Sequence, residues 1–459
     1  MKRKISFFLA LILFSPVIHA GEDLSSLSSL IRQYEGKGIQ VGVHVVSVTE
    51  NQEVFAYKES VPLNPASNIK IITTAAALHY LGSNYTFKTR FYSEGAPVQG
   101  KITNLYVVGG GDPNLVEERL WRTAKDLSLR GIREITGDIV IDQSLFAPMI
   151  REGMGDLNRS YNAPITPLAV NYNSFAVVAQ NTPTGIALST DPPCDYFRIG
   201  GRVGTGGKGG LSVSRRFDGT QEVVTVSGSV KGPYSVLVYR NVSRPSLYAG
   251  STLKLYLQQN GVHLAGTVRE GPNLGTHLIL EDPSKTLGLV IQDLNKFSNN
   301  FTAEMLLLSI GAAVLGAPAT PEKGVTVLDQ YLSGLGISLA DYHLENGSGL
   351  SRNTRVAARV LTSVLSDTYR RFSVMPEFVS SLAIAGVDGT VRKRLKNPEI
   401  VGQTRVKTGT LNDASSLSGF IPTKSGKVLA FAIVAHGPGA GGGRFHQLQE
   451  KIALRLKAY

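Results

Sequence analysis

The feature that most constrains the fold is a change of texture in mid-chain. From about residue 85 to 280, short β-rich stretches (102–108, 135–141, 222–230 and 234–240) alternate with glycine clusters, notably Gly109-Gly110-Gly111-Asp112-Pro113 and 200–210. Such punctuation marks turns between strands. No Gly-x-x-x-x-Gly-Lys-Ser/Thr pattern is present to make these glycines a phosphate cradle. On either side the texture is different. A helix over 24–34 leads into strands at 40–48 and 53–57, and a proline-punctuated turn, Pro62 to Ser67, precedes a helix over 68–80. After about 285 come helical runs at 301–315, 325–335 and 355–368, strands at 401–407, 414–422 and 428–435, and a last helix over 445–457. The strands at 414–422 and 428–435 flank a polar turn and read as a hairpin. Two flanks of one texture around a middle of another describe a single α+β domain split by a long strand-rich insert. The expected division is 21–85 with 285–459 for the split domain, 86–175 with 262–284 for a first insert, and 176–261 for a second, nested one.

The first twenty residues stand apart. Lys2, Arg3 and Lys4 precede an apolar run broken by Ser15 and Pro16, with the small Ala20 at the end. This is the pattern of a secretory leader cleaved after Ala20, and the run is short for an uncleaved anchor. Residues 305–319 carry no charge but are also too few to span a bilayer, and read as a buried helix. The formal charge of +12 becomes +9 without the three leader cations. A basic chain outside the cytoplasm has weak contact with anionic envelope polymers or a membrane surface open to it. No basic block interleaved with aromatics points to nucleic acid. The single cysteine, Cys194, excludes an internal disulfide and reads as a bystander thiol. The histidines show no metal-ligand spacing, so neither a metal nor another cofactor is expected. The lone Trp121 reads as a packing residue.

Three short motifs carry chemistry: Ser67-Asn68-Ile69-Lys70, Ser298-Asn299-Asn300 and Lys407-Thr408-Gly409. Ser-x-x-Lys at a helix start puts a hydroxyl and an amine one turn apart on one face. Serine is a poor nucleophile until a neighbour takes its proton, and a desolvated lysine beside other cations can be neutral enough to do so. Ser-x-Asn adds a second hydroxyl and an amide. Lys-Thr-Gly on an edge strand adds positive charge, a hydroxyl and a place for a peptide to dock. Each motif has decoys here: Ser251-Thr252-Leu253-Lys254, Ser160-Tyr161-Asn162 and Lys424-Ser425-Gly426. Context favours the first set, because Ser67 follows a strand pair and heads a helix, whereas the decoys lie in the insert or in a polar turn.

The order and spacing, 231 residues from Ser67 to Ser298 and 109 from Ser298 to Lys407, resemble the low-molecular-mass penicillin-binding proteins of the D-alanyl-D-alanine carboxypeptidase/endopeptidase type. The segments Gly109 to Pro113, Tyr161-Asn162-Ala163-Pro164, Asn346-Gly347-Ser348-Gly349-Leu350-Ser351-Arg352 and Val406-Lys407-Thr408-Gly409-Thr410 extend the resemblance to nearly the whole mature chain. Asn346 stands where the family often has Asp. The resemblance implies a transpeptidase/β-lactamase-like domain, an antiparallel sheet flanked by helices, and a serine peptidase acting on peptidoglycan stem peptides and cross-links and acylated by β-lactams. It implies Ser67 as nucleophile, Lys70 as base, Ser298, Asn300 and Lys407 as relay, and the backbone N–H groups of Ser67 and Thr410 as oxyanion hole. Asn299, Thr408, Gly409 and Thr410 would line the substrate, with Gly409 letting its backbone approach. Asp142 and Arg352 would hold the amine and carboxylate of a diaminopimelate end. Two alternatives stand beside this: a catalytically silent wall-binding protein, and a serine β-lactamase, against which the long insert argues.

Overall fold

The computed structural model describes residues 24, 26–148, 160–207, 209–232 and 236–459. The expected leader, and the start of the expected strand at 234–240, lie outside them.

The two flanks of the chain meet in one six-stranded antiparallel sheet. Its order is Ala383–Ile384, Arg405–Leu411, Ala414–Pro422, Val428–His436, Gln40–Ser47 and Gln52–Tyr57. The N-terminal hairpin is therefore zipped onto the C-terminal strands, which closes the domain across the insert. Successive side chains of Val428–His436 point to opposite faces, as a period of two requires. Leu429, Phe431 and Ile433 pack with Leu27 and Ile31 of helix Ser26–Arg32 and with Phe445, Leu448 and Ile452 of helix Gly443–Ala458. Ala430, Ala432 and Val434 face the other way, onto helix Ala358–Arg370, in a core shared with helices Ile69–Leu81, Leu287–Phe297 and Asn300–Leu315. Helix Ile69–Leu81 is buried from Ile69 through Leu78, Lys70 included, so every polar group on it needs a partner inside the protein.

The insert has a core of its own. A five-stranded sheet runs Val268–Glu270, Ile139–Asp142, Leu105–Val108, Thr86–Ser93, His277–Thr286. Two three-stranded sheets follow from the segment between 174 and 241. Helix Pro245–Gln259 falls within the segment 176–261 that texture assigned to the nested module. It packs on helix Glu117–Leu129 and strand Val268–Glu270, its buried Ala249, Leu253 and Leu257 joining the core around Leu120 and Ile141, while its Tyr248 also packs on Tyr196 and Phe197 of the nested segment. Trp121 is 42 % exposed, with the Lys125 ammonium over its ring, since Leu120, Ala124 and Leu127 form the buried face of its helix. The packing role expected of it is not the one it has.

One shift matters for the site. The strand expected at 401–407 is Arg405–Leu411. Residues 401–404 form a turn in which Val401 and Thr404 donate to Asn397 O and Ile400 O. Lys407 therefore sits inside the strand rather than at its end.

Candidate active site

Ser67 occupies a single 3-10 turn, Ala66–Asn68, that runs directly into helix Ile69–Leu81. Ala66 is held at φ +46°, a left-handed conformation that a residue with a side chain adopts only under constraint. The constraint is visible. Asn64 Oδ1 accepts from Ala66 N at 2.8 Å, its Nδ2 donates to Ser351 O and Arg352 O, and Ser416 Oγ donates to Pro65 O at 2.6 Å. The nucleophile turn is thus clamped between the 351–352 loop and the central sheet.

Lys70 lies one turn after Ser67 with its Nζ 2.9 Å from Ser67 Oγ and 2.7 Å from Asn300 Oδ1, and it also donates to Ser348 O. Ser67 Oγ is 3.4 Å from the same Ser348 carbonyl. Lys70 is fully buried. Loss of hydration drives its ammonium down to about 7, against a smaller upward pull from the Glu304 carboxylate. Lys407, equally buried, is held well below the usual lysine range by the same desolvation and then by the charge of Lys70. Its Nζ donates to Ser298 Oγ at 2.8 Å and to Thr408 O at 2.6 Å. Ser298 is the left-handed residue, φ +57°, that ends helix Leu287–Phe297 and starts the turn into helix Asn300–Leu315. The ion pair of Lys296 with Asp388 ties that helix end to the loop before the substrate strand.

The structure therefore brings Ser67, Lys70 and Asn300 into one hydrogen-bonded group and Ser298 and Lys407 into a second, the two coupled through the charges of the lysines. It gives other sequence-selected residues different tasks. Asn299 caps helix Asn300–Leu315, its Oδ1 accepting from Thr302 N at 3.1 Å. Thr408 Oγ1 donates to Thr390 Oγ1 at 2.7 Å, and Thr410 is exposed on the same strand. Gly409 is required by a contact within the protein. A Cβ there would stand 2.3 Å from Ser416 Oγ, 2.5 Å from Pro65 O and 2.8 Å from Ser67 N. The close approach it permits is that of the strand to the nucleophile turn. The outer edge of the strand is open for a different reason: Ala383–Ile384 pairs only with Arg405 and Val406.

Asp142 ends strand Ile139–Asp142 in the insert, 7 % exposed, with its two oxygens accepting from Ser144 N and Asn273 N at 2.7 Å each. Phe146, four residues on, packs with Phe301 and Met305 of the helix that carries Asn300. Arg352 is exposed and paired to Asp413 at 2.6 Å, in the turn after the substrate strand. A cavity of about 600 Å³ opens beside Ser298–Phe301, lined on the insert side by Glu117, Tyr172, Asp191 and Tyr239. Two of the three decoys are occupied elsewhere. Lys254 is tied to Asp195 and Lys424 to Glu399, so neither faces a serine as a base. Ser160 lines the cavity beside Ser298. The buried Cys194 thiol is pushed up to about 11 by desolvation, which keeps it protonated and inert.

Sequence reasoning missed Glu304 and the main chain of Ser348. Glu304 was within reach, since it lies one helical turn beyond Asn300. A carbonyl acceptor such as Ser348 O leaves no mark in side-chain identity.

Residues 24–458 match the D-Ala-D-Ala carboxypeptidase 3 (S13) family. The chain belongs to that family. It is 32% identical to a D-alanyl-D-alanine carboxypeptidase of Actinomadura sp. (strain R39), over 92% of this chain and 82% of the relative. It is 27% identical to the D-alanyl-D-alanine carboxypeptidase DacB of Haemophilus influenzae, over 95% and 92%. The crystal structure of penicillin binding protein 4 (dacB) from H. influenzae superposes with a TM-score of 0.80 at 26% identity, covering 94% of this chain and 99% of that one. The same protein has been solved in complex with a β-lactam, TM-score 0.77. The S13 chain described here is thus a serine D,D-peptidase of peptidoglycan, on a transpeptidase-type fold with extra domains.

Proposed function

We propose that this peptidase acylates Ser67 with a D-alanyl peptide and releases either a terminal D-alanine or the diaminopimelate amine of a cross-link. The observation that carries the reading is the shared contact of Lys70 with Ser67 Oγ and Asn300 Oδ1 in a dry site. Neutral Lys70 keeps two N–H groups for Asn300 Oδ1 and Ser348 O and turns its lone pair to the Ser67 hydroxyl. As Ser67 Oγ bonds to the D-alanyl carbonyl carbon, Lys70 takes the proton. The oxyanion meets the N–H groups of Ser67 and Thr410. When the C–N bond breaks, the Ser298 hydroxyl, held by Lys407, passes its proton to the departing amine and is replenished by the proton Lys70 took, which leaves Lys70 neutral again. Water then attacks the ester carbon as Lys70 takes its proton, and Lys70 returns that proton to Ser67 Oγ as the ester C–O bond breaks and the carboxylic acid leaves. Asn300 Nδ2 remains to hold the substrate peptide, which adds to the open edge of Arg405–Leu411.

Asp142 and Arg352 frame the far end of the peptide, reached by its amine and carboxylate once Arg352 exchanges Asp413 for substrate. The working division is a catalytic unit of 21–85 and 285–459 and a two-part insert, 86–175 with 262–284 and 176–261, Pro245–Gln259 packing with the first part. A leader ending at Ala20 places the enzyme in the periplasm or envelope, and the basic surface gives it weak affinity for anionic polymers there. Among the described residues no helix is long and apolar enough to cross a membrane.

Intact-mass analysis after penicillin tests the reading. One adduct on the Ser67 peptide, with slow loss, together with D-alanine release from a pentapeptide, supports it. Rapid penicillin turnover would indicate a β-lactamase, no adduct a silent binder, and an adduct on Ser251 a wrong nucleophile.

A further inference from the structure

The segment Asn346 to Arg352 stood out in the sequence, and around Lys70 it is the main chain of Gly347 and Ser348 that makes the contacts. Ser348 O is the third acceptor around Lys70 Nζ. The same two residues present their amides to one carboxylate: Ser348 N donates to Glu304 Oε1 at 3.1 Å and Gly347 N to Glu304 Oε2 at 3.4 Å. From the other side, Thr73 Oγ1 donates to Gly347 O at 2.8 Å, and Thr73 lies one turn after Lys70 on the nucleophile helix. Glu304 lies one turn after Asn300, so one face of helix Asn300–Leu315 supplies both the amide that touches Lys70 and the carboxylate that holds its other partner. Two charged groups face Lys70 from the elements packed around it: Glu304 from that helix and Lys407 from strand Arg405–Leu411. The Glu304 charge favours the Lys70 ammonium against burial, while the coupling between the two lysines falls on Lys407, whose ammonium Lys70 disfavours.

We propose that Glu304 is a positioning residue for acylation: it clamps the Gly347–Ser348 main chain against Lys70 and, by its charge, sets how strongly Lys70 holds the Ser67 proton. A lysine left to burial alone would shed its proton too easily and be a feeble base. Glu304 offsets that without touching the substrate. The inference rests on Ser67 acylation by a lysine base.

The test is the pH profile of the second-order rate of penicillin acylation, for wild type, Glu304→Gln and Glu304→Asp. Gln keeps the shape and removes the charge. The limb at low pH should move to lower pH by roughly 0.5–1 unit, with a lower plateau, because an ammonium without its counter-charge deprotonates earlier. Asp keeps the charge, so its limb should stay near that of wild type while its plateau falls. A merely structural role would lower the rate equally at every pH. An unmoved limb in Glu304→Gln, or equal movement in Gln and Asp, overturns the proposal. Glu304→Ala carries the same test should Glu304→Gln not fold by circular dichroism. Failure of wild type to label at all overturns the acylation reading itself, whereas a labelled wild type with an unmoved Gln limb overturns only the role given to Glu304.

Discussion

Gly409→Ala separates damage to the site from damage to the fold. The added methyl would sit 2.5 Å from Pro65 O and 2.8 Å from Ser67 N, both main-chain atoms, and 2.3 Å from Ser416 Oγ. Relieving the first approach to an ordinary contact near 3.4 Å pushes strand and nucleophile turn apart by roughly 1 Å. That motion stretches the Ser416–Pro65 hydrogen bond and carries Ser67 away from Lys407 and from the strand's N–H groups. Overpacking of this kind costs about 1–3 kcal/mol of stability. A misplacement of about 1 Å costs on the order of a hundredfold in rate. The control is Gly324→Ala on helix Pro321–Gly334, where a Cβ would meet Leu307 O at 2.6 Å, away from the nucleophile. Urea unfolding and the second-order rate of penicillin acylation are measured on both. Both variants should lose comparable stability, and only Gly409→Ala should lose about two orders of magnitude in acylation. If folded Gly409→Ala acylates within about threefold of wild type, the strand is not pressed on the nucleophile turn in the way described.

Lys70→Ala should reduce acylation by several orders of magnitude, read by the rate of covalent penicillin label, while non-covalent binding of peptide persists. Because burial brings Lys70 to about 7 and the neutral amine is the base, acylation by wild type should climb as pH rises through about 7 and fall away below it as the ammonium forms. A flat profile between pH 5 and 8 would assign the proton to another group. Asp142→Asn and Arg352→Ala should lower turnover of diaminopimelate-bearing peptides and spare penicillin acylation, whereas Lys407→Ala should damage both. Equal loss of penicillin label in all three, with intact circular dichroism, would remove the proposed peptide-end pocket. Native Cys194 should resist a thiol reagent at pH 8 and react only after denaturation, since its thiol is buried and pushed up to about 11.

What the sequence determined by itself was whatever depends on neighbours along the chain. Ser67 and Lys70 share a helix face because they are three residues apart, and the glycine-punctuated middle could not continue the helical flanks. The strands at 414–422 and 428–435 were legible as a hairpin from the polar turn between them. What only the tertiary structure decided involves groups far apart in sequence. Lys407 meets Ser298 across 109 residues, and Lys70 meets Asn300 across 230. The position of Lys407 within its strand was misjudged by periodicity, because the 401–404 turn is set by hydrogen bonds to 397 and 400 rather than by side-chain pattern. Gly409 has a second requirement that the sequence did not show, since nothing local reveals that Pro65 and Ser67 fill the space its side chain would need. Glu304 and Ser348 escaped altogether. Ser348 acts through a main-chain amide and carbonyl, groups every residue carries, and only packing decides that the Glu304 carboxylate meets that amide beside a buried lysine. The lowered proton affinity of Lys70 belongs to the same class: it follows from exclusion of water, and no residue excludes water alone.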